Sequence, residues 1–69
     1  MKSFEVCVRC RIHADEYYYS YNSVNAVDSR NAIQSVASRN PHSLSWLNDN
    51  DDYMKLPKDF DIVGYSIIY

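Results

Sequence analysis

Residues 4–13, FEVCVRCRIH, decide which fold the rest of the chain can adopt. Apolar side chains occupy every second position, and polar or charged side chains fill most of the positions between them. Such alternation is typical of a β-strand with one face in a core. The side chains predicted to be buried are Phe4, Val6, Val8, Cys10 and Ile12. Those predicted to be exposed are Glu5, Cys7, Arg9, Arg11 and His13.

A second strand is predicted over residues 17–27, which are rich in tyrosine and β-branched valine. Residues 14–16 supply the turn that pairs this strand with the first one. Its buried row should end with Val24 and Ala26. The alternation is less regular at residues 17–21, and this favours a bulge there.

A helix should follow, because Asp28 offers an N-cap whose carboxylate accepts hydrogen bonds from backbone N–H groups of the first turn. Apolar side chains then recur at helical spacing, at Ala32, Ile33, Val36 and Ala37. The pair Asn40-Pro41 ends the helix, since the residue before a proline is disfavoured in the α conformation. A helix this short needs a sheet to pack on.

Residues 41–69 are less regular. Residues 41–47 fit one helical turn that places Leu44 and Leu47 on the core, and residues 48–52 are polar enough for a loop. Residues 61–68 are apolar on both faces and predict the last strand, with Gly64 marking a bulge. The predicted fold is α+β, a single domain over residues 1–69 in the order β-β-α-β. Its three-stranded, mainly antiparallel sheet has the first strand in the middle and one helix on one face.

Length and charge narrow the classes of function. A chain of 69 residues suffices for one small domain, and a net charge of −2 argues against a sequence-independent nucleic-acid binder, which normally carries a basic excess. No apolar run is long enough to cross a membrane, and Glu5 comes before the apolar core of a signal peptide could form. We therefore expect a cytoplasmic protein with no membrane partner.

The cysteines and acidic residues do not predict chemistry. Cys7 and Cys10 have zinc-knuckle spacing, but on a strand they point to opposite faces, which also disfavours a disulfide or redox pair. The acidic segment from Asp49 lacks the glycine and glutamate of an EF-hand loop. No nucleophile–base set or glycine-rich phosphate loop is recognisable. We expect no metal, no cofactor and no enzyme activity.

Two surfaces are candidates for binding. The exposed row of the first strand should share the open side of the sheet with tyrosines of the second, and both arginine and tyrosine are enriched at binding hot spots. Three interpretations stay open: a protein-binding face, a stacking platform for single-stranded nucleic acid, and tyrosines that only stiffen the sheet. The acidic loop either enters a basic groove of a partner or simply stays solvated. The candidate partner-binding residues are Arg9, Arg11, Tyr19 and Tyr21, followed by Asp49, Asp51 and Asp52.

Two segments resemble parts of very small phage-encoded proteins. Residues 24–41, VNAVDSRNAIQSVASRNP, resemble their strand–cap–helix junction, and residues 56–67, LPKDFDIVGYSI, resemble their closing strand. The layout over residues 4–67 is similar to that of T7-type phage inhibitors of bacterial RNA polymerase and of some anti-CRISPR proteins. Such inhibitors of polymerase use arginines on the last strand, and residues 63–66, VGYS, contain none. The resemblance therefore implies a layout and a mode of action, and no functional residue carries over.

The sequence thus predicts a small non-enzymatic inhibitor, encoded by a phage or mobile element, that occupies a surface of a host nucleic-acid machine such as RNA polymerase or a CRISPR effector. The expected partner is a host protein complex. Single-stranded nucleic acid on the Tyr/Arg sheet face is the alternative. A homodimer is also expected to be accessible, because an apolar edge strand invites pairing.

Overall fold

The computed structural model describes residues 1–48, 50 and 52–69. These residues form β1 (Lys2–His13), β2 (Glu16–Ala26), α1 (Ser29–Ala37), β3 (Trp46–Leu47), β4 (Tyr53–Met54) and β5 (Asp61–Ile67), with a 3-10 turn at Pro41–Ser43. The strands make one antiparallel sheet in the order β4-β3-β2-β1-β5. The predicted α+β class is confirmed. The prediction of three strands is wrong, because β3 and β4 extend the sheet beyond β2.

The long hairpin of β1 and β2 confirms the alternation predicted from the sequence. Val6, Val8 and Cys10 are fully buried, whereas the arginines between and beside them are exposed. The buried row of β2 consists of Tyr18, Ser20, Asn22 and Ala26, with Val24 half-buried. These two rows define the helix-covered face of the sheet.

The bulge of the hairpin lies in β1, not in residues 17–21 of β2 as predicted. The register is continuous through the tyrosines of β2 and shifts only after Arg11. Arg11 pairs with Tyr17 and His13 pairs with Glu16, so Ile12 is the additional residue. The irregular alternation at the start of β2 therefore has another cause: its aromatic side chains occupy both faces of the sheet.

Helix α1 packs on the helix-covered face through Ala32 and Val36, which are buried in the core. Asp28 is its N-cap, as predicted, and the carboxylate accepts from the N–H of Asn31 at 2.8 Å. The helix ends at Ala37, before the predicted end at Asn40. Asn40 is extended, as expected before a proline, and its side chain caps the following 3-10 turn.

Trp46 closes the core at the β3 side of the sheet. It is 1% exposed, and its indole N–H donates to the carbonyl of Pro41 at 2.7 Å. The helical turn predicted for residues 41–47 forms only over Pro41–Ser43, because Trp46 and Leu47 pair with β2 instead. Trp46 is therefore the fully buried side chain of this segment, while Leu44 and Leu47 are half-buried.

Strand β5 pairs with β1 on the side away from β2, as predicted. Arg9 pairs with Gly64 and Cys10 with Ile62, so Val63 is the additional residue of a bulge next to Gly64, also as predicted. In the part of the chain that the structure describes, no helix has the length and apolar character needed to span a membrane.

Candidate binding face

The face of the sheet opposite α1 carries the hairpin residues that the sequence singles out, and we call it the open face. Because cross-strand partners share a face, the register of β1 and β2 decides which side chains meet there. The three central pairs are Cys7 with Tyr21, Arg9 with Tyr19, and Arg11 with Tyr17. The hairpin thus brings together the four residues predicted as the first choice for partner binding.

One row of residues crosses the entire open face. Leu47 of β3 is the register partner of Tyr19, and Tyr53 of β4 is the partner of Leu47. On the other side of Tyr19, Arg9 pairs with Gly64 of β5. Neighbouring strands are about 4.8 Å apart, so this row is roughly 19 Å long. It is apolar and aromatic towards β4, cationic at β1, and without a side chain at β5.

The tyrosines of the open face differ in exposure. Tyr53 is 75% exposed and Tyr21 is 45% exposed, whereas Tyr17 and Tyr19 are half-buried. Leu47 beside them is also half-buried. An exposed aromatic ring with a polar hydroxyl at its tip suits a surface that is covered by a partner. The accessible end of the row is therefore the β4 end.

The guanidinium group of Arg9 is held against the sheet. Its Cζ atom lies 4.0 Å from the ring centroid of Tyr17, which is the diagonal cross-strand neighbour of Arg9. A cation–π contact at an exposed site contributes about 0.5–1 kcal/mol. Because the contact already restricts the side chain, Arg9 loses less conformational entropy when it binds a partner.

Charges of both signs share the hairpin with this arginine. Glu5 lies in the same row of β1, and Asp61 is the register partner of Arg11 on β5. At the hairpin end, the Nε2 atom of His13 lies 3.9 Å from a carboxylate oxygen of Glu16. The open face is therefore a mixed surface with two exposed arginines and is not a uniformly basic patch.

The two cysteines point to opposite faces of the sheet. Cys7 is half-buried on the open face, and Cys10 is fully buried on the helix-covered face. Burial raises the pKa of both thiols; at Cys7 a hydrogen bond with Tyr21 and the charge of Arg9 partly oppose this. Among the described residues, no group of His, Cys, Asp and Glu side chains is arranged to hold a metal ion.

Of the acidic residues predicted as the second choice, Asp52 is described by the structure, and it lies next to β4, away from the arginines of β1. Asp49 and Asp51 lie outside the described residues. Asp52 is exposed at the turn between β3 and β4, where its N–H donates to the Oδ1 atom of Asn48 at 3.0 Å. Its carbonyl oxygen accepts from the N–H of Asn48, also at 3.0 Å. Asp52 therefore adjoins Tyr53 at the β4 edge of the open face.

Sequence reasoning missed Leu47 and Tyr53 as members of this face. Their strands have two residues each, too short for alternation to be visible. A signal was nevertheless present: two short apolar pairs flank residues 48–52, which are rich in Asn and Asp, as in a hairpin with a longer loop.

No protein-family model matches the chain, and neither a curated protein nor a solved structure does so. The resemblance to phage inhibitors therefore stays a prediction, and function has to be argued from the open face itself.

Proposed function

We propose that the chain is a small non-enzymatic binding protein that docks a protein partner on its open face. The observation that supports this best is the row formed by Tyr53, Leu47, Tyr19 and Arg9. Tyrosine and arginine supply large contact areas and directional hydrogen bonds, and they are enriched among the residues that dominate binding energies. A row of this length fits the central part of a protein–protein interface.

A purely structural role for the tyrosines is less consistent with their neighbours. Tyrosines that stiffen a sheet pair with aromatic or β-branched side chains across strands. Here Tyr17 and Tyr19 stand opposite arginines, and Tyr21 stands opposite Cys7. Tyr53 packs little, since three quarters of its surface is exposed. The arrangement contributes less to stability than the same number of aromatic pairs would.

The charges indicate the chemistry of the partner. Arg9 and Arg11 are both exposed and adjacent on the open face, and they suit carboxylates on the surface of a partner. Leu47 and Tyr53 suit an apolar patch next to those carboxylates. The specific partner suggested by the phage resemblance is a host nucleic-acid machine, either RNA polymerase or a CRISPR effector, which the chain would inhibit by occupying its surface.

Single-stranded nucleic acid is the second candidate partner, because exposed aromatic rings beside arginines on an open sheet can stack bases. Three observations weigh against it: Glu5 and Asp61 lie on the same face, Arg9 is already stacked on Tyr17, and the chain carries a net charge of −2. If Arg9 and Arg11 each neutralised one phosphate, the logarithm of the binding constant would fall with the logarithm of salt concentration at a slope of about −1.4.

The test is a pull-down with the tagged chain from nuclease-treated bacterial lysate, followed by affinity measurements on the captured protein. Changing Arg9 and Arg11 together to alanine should abolish binding and leave the fold intact. The matched control changes Arg30 and Arg39 to alanine. Both arginines are exposed; Arg30 lies in α1 and Arg39 lies two residues after its end. The control removes the same charge and should bind like the original chain.

If both double variants bind as tightly as the original chain, the open face is not the site. Loss of affinity in both would point to net charge rather than to a specific surface. Capture that appears only when nucleases are omitted, together with the salt slope given above, would move the assignment to nucleic acid. Thermal unfolding of each variant distinguishes these outcomes from loss of the fold.

A further inference from the structure

The two edges of the sheet offer very different lengths of backbone to another strand. At one edge β4 has two residues, while at the other edge β5 has seven. Natural edge strands are usually protected by lysine, proline or short length. Lys55 and Pro57 follow β4, whereas β5 contains neither residue type, and its one charged residue, Asp61, is at its start. The unprotected edge is β5.

The hydrogen bonds of β5 show which of its backbone groups face outward. The N–H of Ile68 donates to the carbonyl of Glu5 at 2.8 Å, which fixes the phase of the ladder. Antiparallel pairs alternate between bonded and non-bonded positions, so Ser66 also bonds to β1, at Cys7. Tyr65 and Ile67 therefore direct their N–H and C=O groups towards the free edge.

We propose that β5 pairs antiparallel with β5 of a second copy of the chain, around a two-fold axis at Ser66. In this register Tyr65 of each copy exchanges two N–H···O bonds with Ile67 of the other. Registers centred one residue away are less suitable. One of them uses Val63, which lies in the bulge, and the other uses Tyr69, whose carbonyl already accepts from the N–H of Glu5 at 3.3 Å.

The side chains are self-complementary in the register centred on Ser66. Tyr65 and Ile67 are half-buried on the helix-covered face, and they would form an aromatic–β-branched cross-strand pair, which is a favourable combination. On the open face Ile68, 43% exposed, would lie opposite Gly64. A Cβ atom at Gly64 would meet no atom within 4 Å, so there is space for the isoleucine. Asp61 stays outside the paired segment.

We assign the edge of β5 to a second copy of the chain because the same segment of each copy forms both sides of the contact, and such an isologous contact ends at a dimer. Each copy uses β5, the longer of the two terminal strands of the described sheet, and the same segment of both copies is consumed by the contact, so a finite dimer results instead of a fibre. The two-fold axis is perpendicular to the sheet, which leaves the open faces of both copies on the same side. The dimer thus doubles the proposed docking surface, but neither proposal depends on the other.

Sedimentation equilibrium of the full chain over a wide concentration range tests this proposal. The original chain should approach twice the 8.1 kDa chain mass as concentration rises. Ser66→Lys places two ammonium groups opposite each other at the axis, and the repulsion should weaken dimerisation at least about fivefold. Ser23→Lys is the control, because Ser23 is likewise exposed on the open face but lies on β2, which is separated from β5 by β1.

A charge swap keeps the test independent of folding. Ser66→Glu alone should also dissociate the dimer, and an equimolar mixture of Ser66→Lys and Ser66→Glu should restore a dimer that contains one copy of each. The proposal is overturned if the original chain stays at 8.1 kDa throughout, if Ser66→Lys dimerises as the original chain does, or if the mixture stays monomeric.

Discussion

The two faces of this sheet are built from the same strands, yet they carry different kinds of side chain. On the helix-covered face Val6, Val8 and Cys10 are fully buried against α1. On the open face the residues between and beside them in β1 are Cys7, Arg9 and Arg11, opposed by tyrosines of β2. In a single strand, therefore, every second position is constrained by packing and the others are available for recognition.

The comparison can be tested with pairs of residues that are close in sequence and differ in face. If the two faces have separate roles, a change on the helix-covered face should lower the free energy of unfolding. The matched change on the open face should have a smaller effect on stability and act on binding instead. The chain offers such a pair for large apolar residues, for serines and for cysteines.

The largest effect is expected at Trp46. Trp46→Ala empties a fully buried site and removes the indole hydrogen bond to Pro41, and it should lower the free energy of unfolding by about 3–5 kcal/mol. A loss of this size is comparable to the whole stability of a small domain. Leu47→Ala, one residue further on the open face, should cost about 1 kcal/mol.

Urea denaturation followed by circular dichroism gives both values. If Leu47→Ala destabilised the chain as much as Trp46→Ala, the open face would be a second core, and its tyrosines would have a structural role. A small effect of Trp46→Ala would mean that the segment from Pro41 to Trp46 is not required to close the core.

An intermediate effect is expected at Ser20, which is fully buried on the helix-covered face. Its Oγ atom accepts a hydrogen bond from the side-chain amide of buried Asn22 at 2.9 Å. Ser20→Ala leaves that amide with one acceptor fewer, which should cost about 1–3 kcal/mol. Ser23→Ala, at an exposed position of the same strand, should change stability by less than about 0.5 kcal/mol.

A double substitution separates the hydrogen bond from packing. Ser20→Ala combined with Asn22→Leu removes both polar partners and keeps similar volume at Asn22. It should therefore be less destabilising than Ser20→Ala alone. If the double variant is the less stable of the two, the cost at Ser20 comes from packing. Thermal denaturation of the original chain and of both variants is sufficient to decide.

The faces were predictable where alternation was long, and unpredictable where strands were short. Residues 4–13 predict both rows of β1, and Asp28 predicts the start of α1, because local chemistry fixes each of them. The two-residue strands β3 and β4 exist only because Trp46 is drawn into the core and the chain beside it then pairs with β2. That is a tertiary effect: the two apolar pairs around the Asn- and Asp-rich residues 48–52 favour a hairpin, but they do not indicate which strand it pairs with.

The candidate site divides in the same way. Arg9, Arg11, Tyr19 and Tyr21 were predictable as neighbours, since the alternation of β1 gives its two faces and the apolar residues near the end of β2 give those of β2. Leu47 and Tyr53 were missed, because their place depends on the register between β2 and β3. The stacking of Arg9 on Tyr17 rather than on its direct partner Tyr19 also depends on the three-dimensional arrangement of the hairpin.

The smallest effect is expected from modification of the cysteines. Their reaction rates report directly which face of the sheet is accessible. In the native chain a thiol reagent should modify Cys7 and leave Cys10 unmodified until unfolding, because only Cys7 is accessible. The thiolate is the reactive form, and burial raises the pKa of Cys7, so its reaction should be slow near neutral pH and accelerate as the pH rises through that raised pKa.

The same shift fixes the sign of the pH effect on stability. The folded state favours the neutral thiols. Their contribution to the free energy of unfolding is therefore complete below the ordinary cysteine pKa and is lost as the pH rises through the raised pKa values.

Mass spectrometry of Cys7→Ala and Cys10→Ala, each with one thiol left, measures the modification rates of the two thiols separately. Equal rates in the native chain would contradict the separation of the faces, whereas protection of Cys7 by a bound partner would place that partner on the open face.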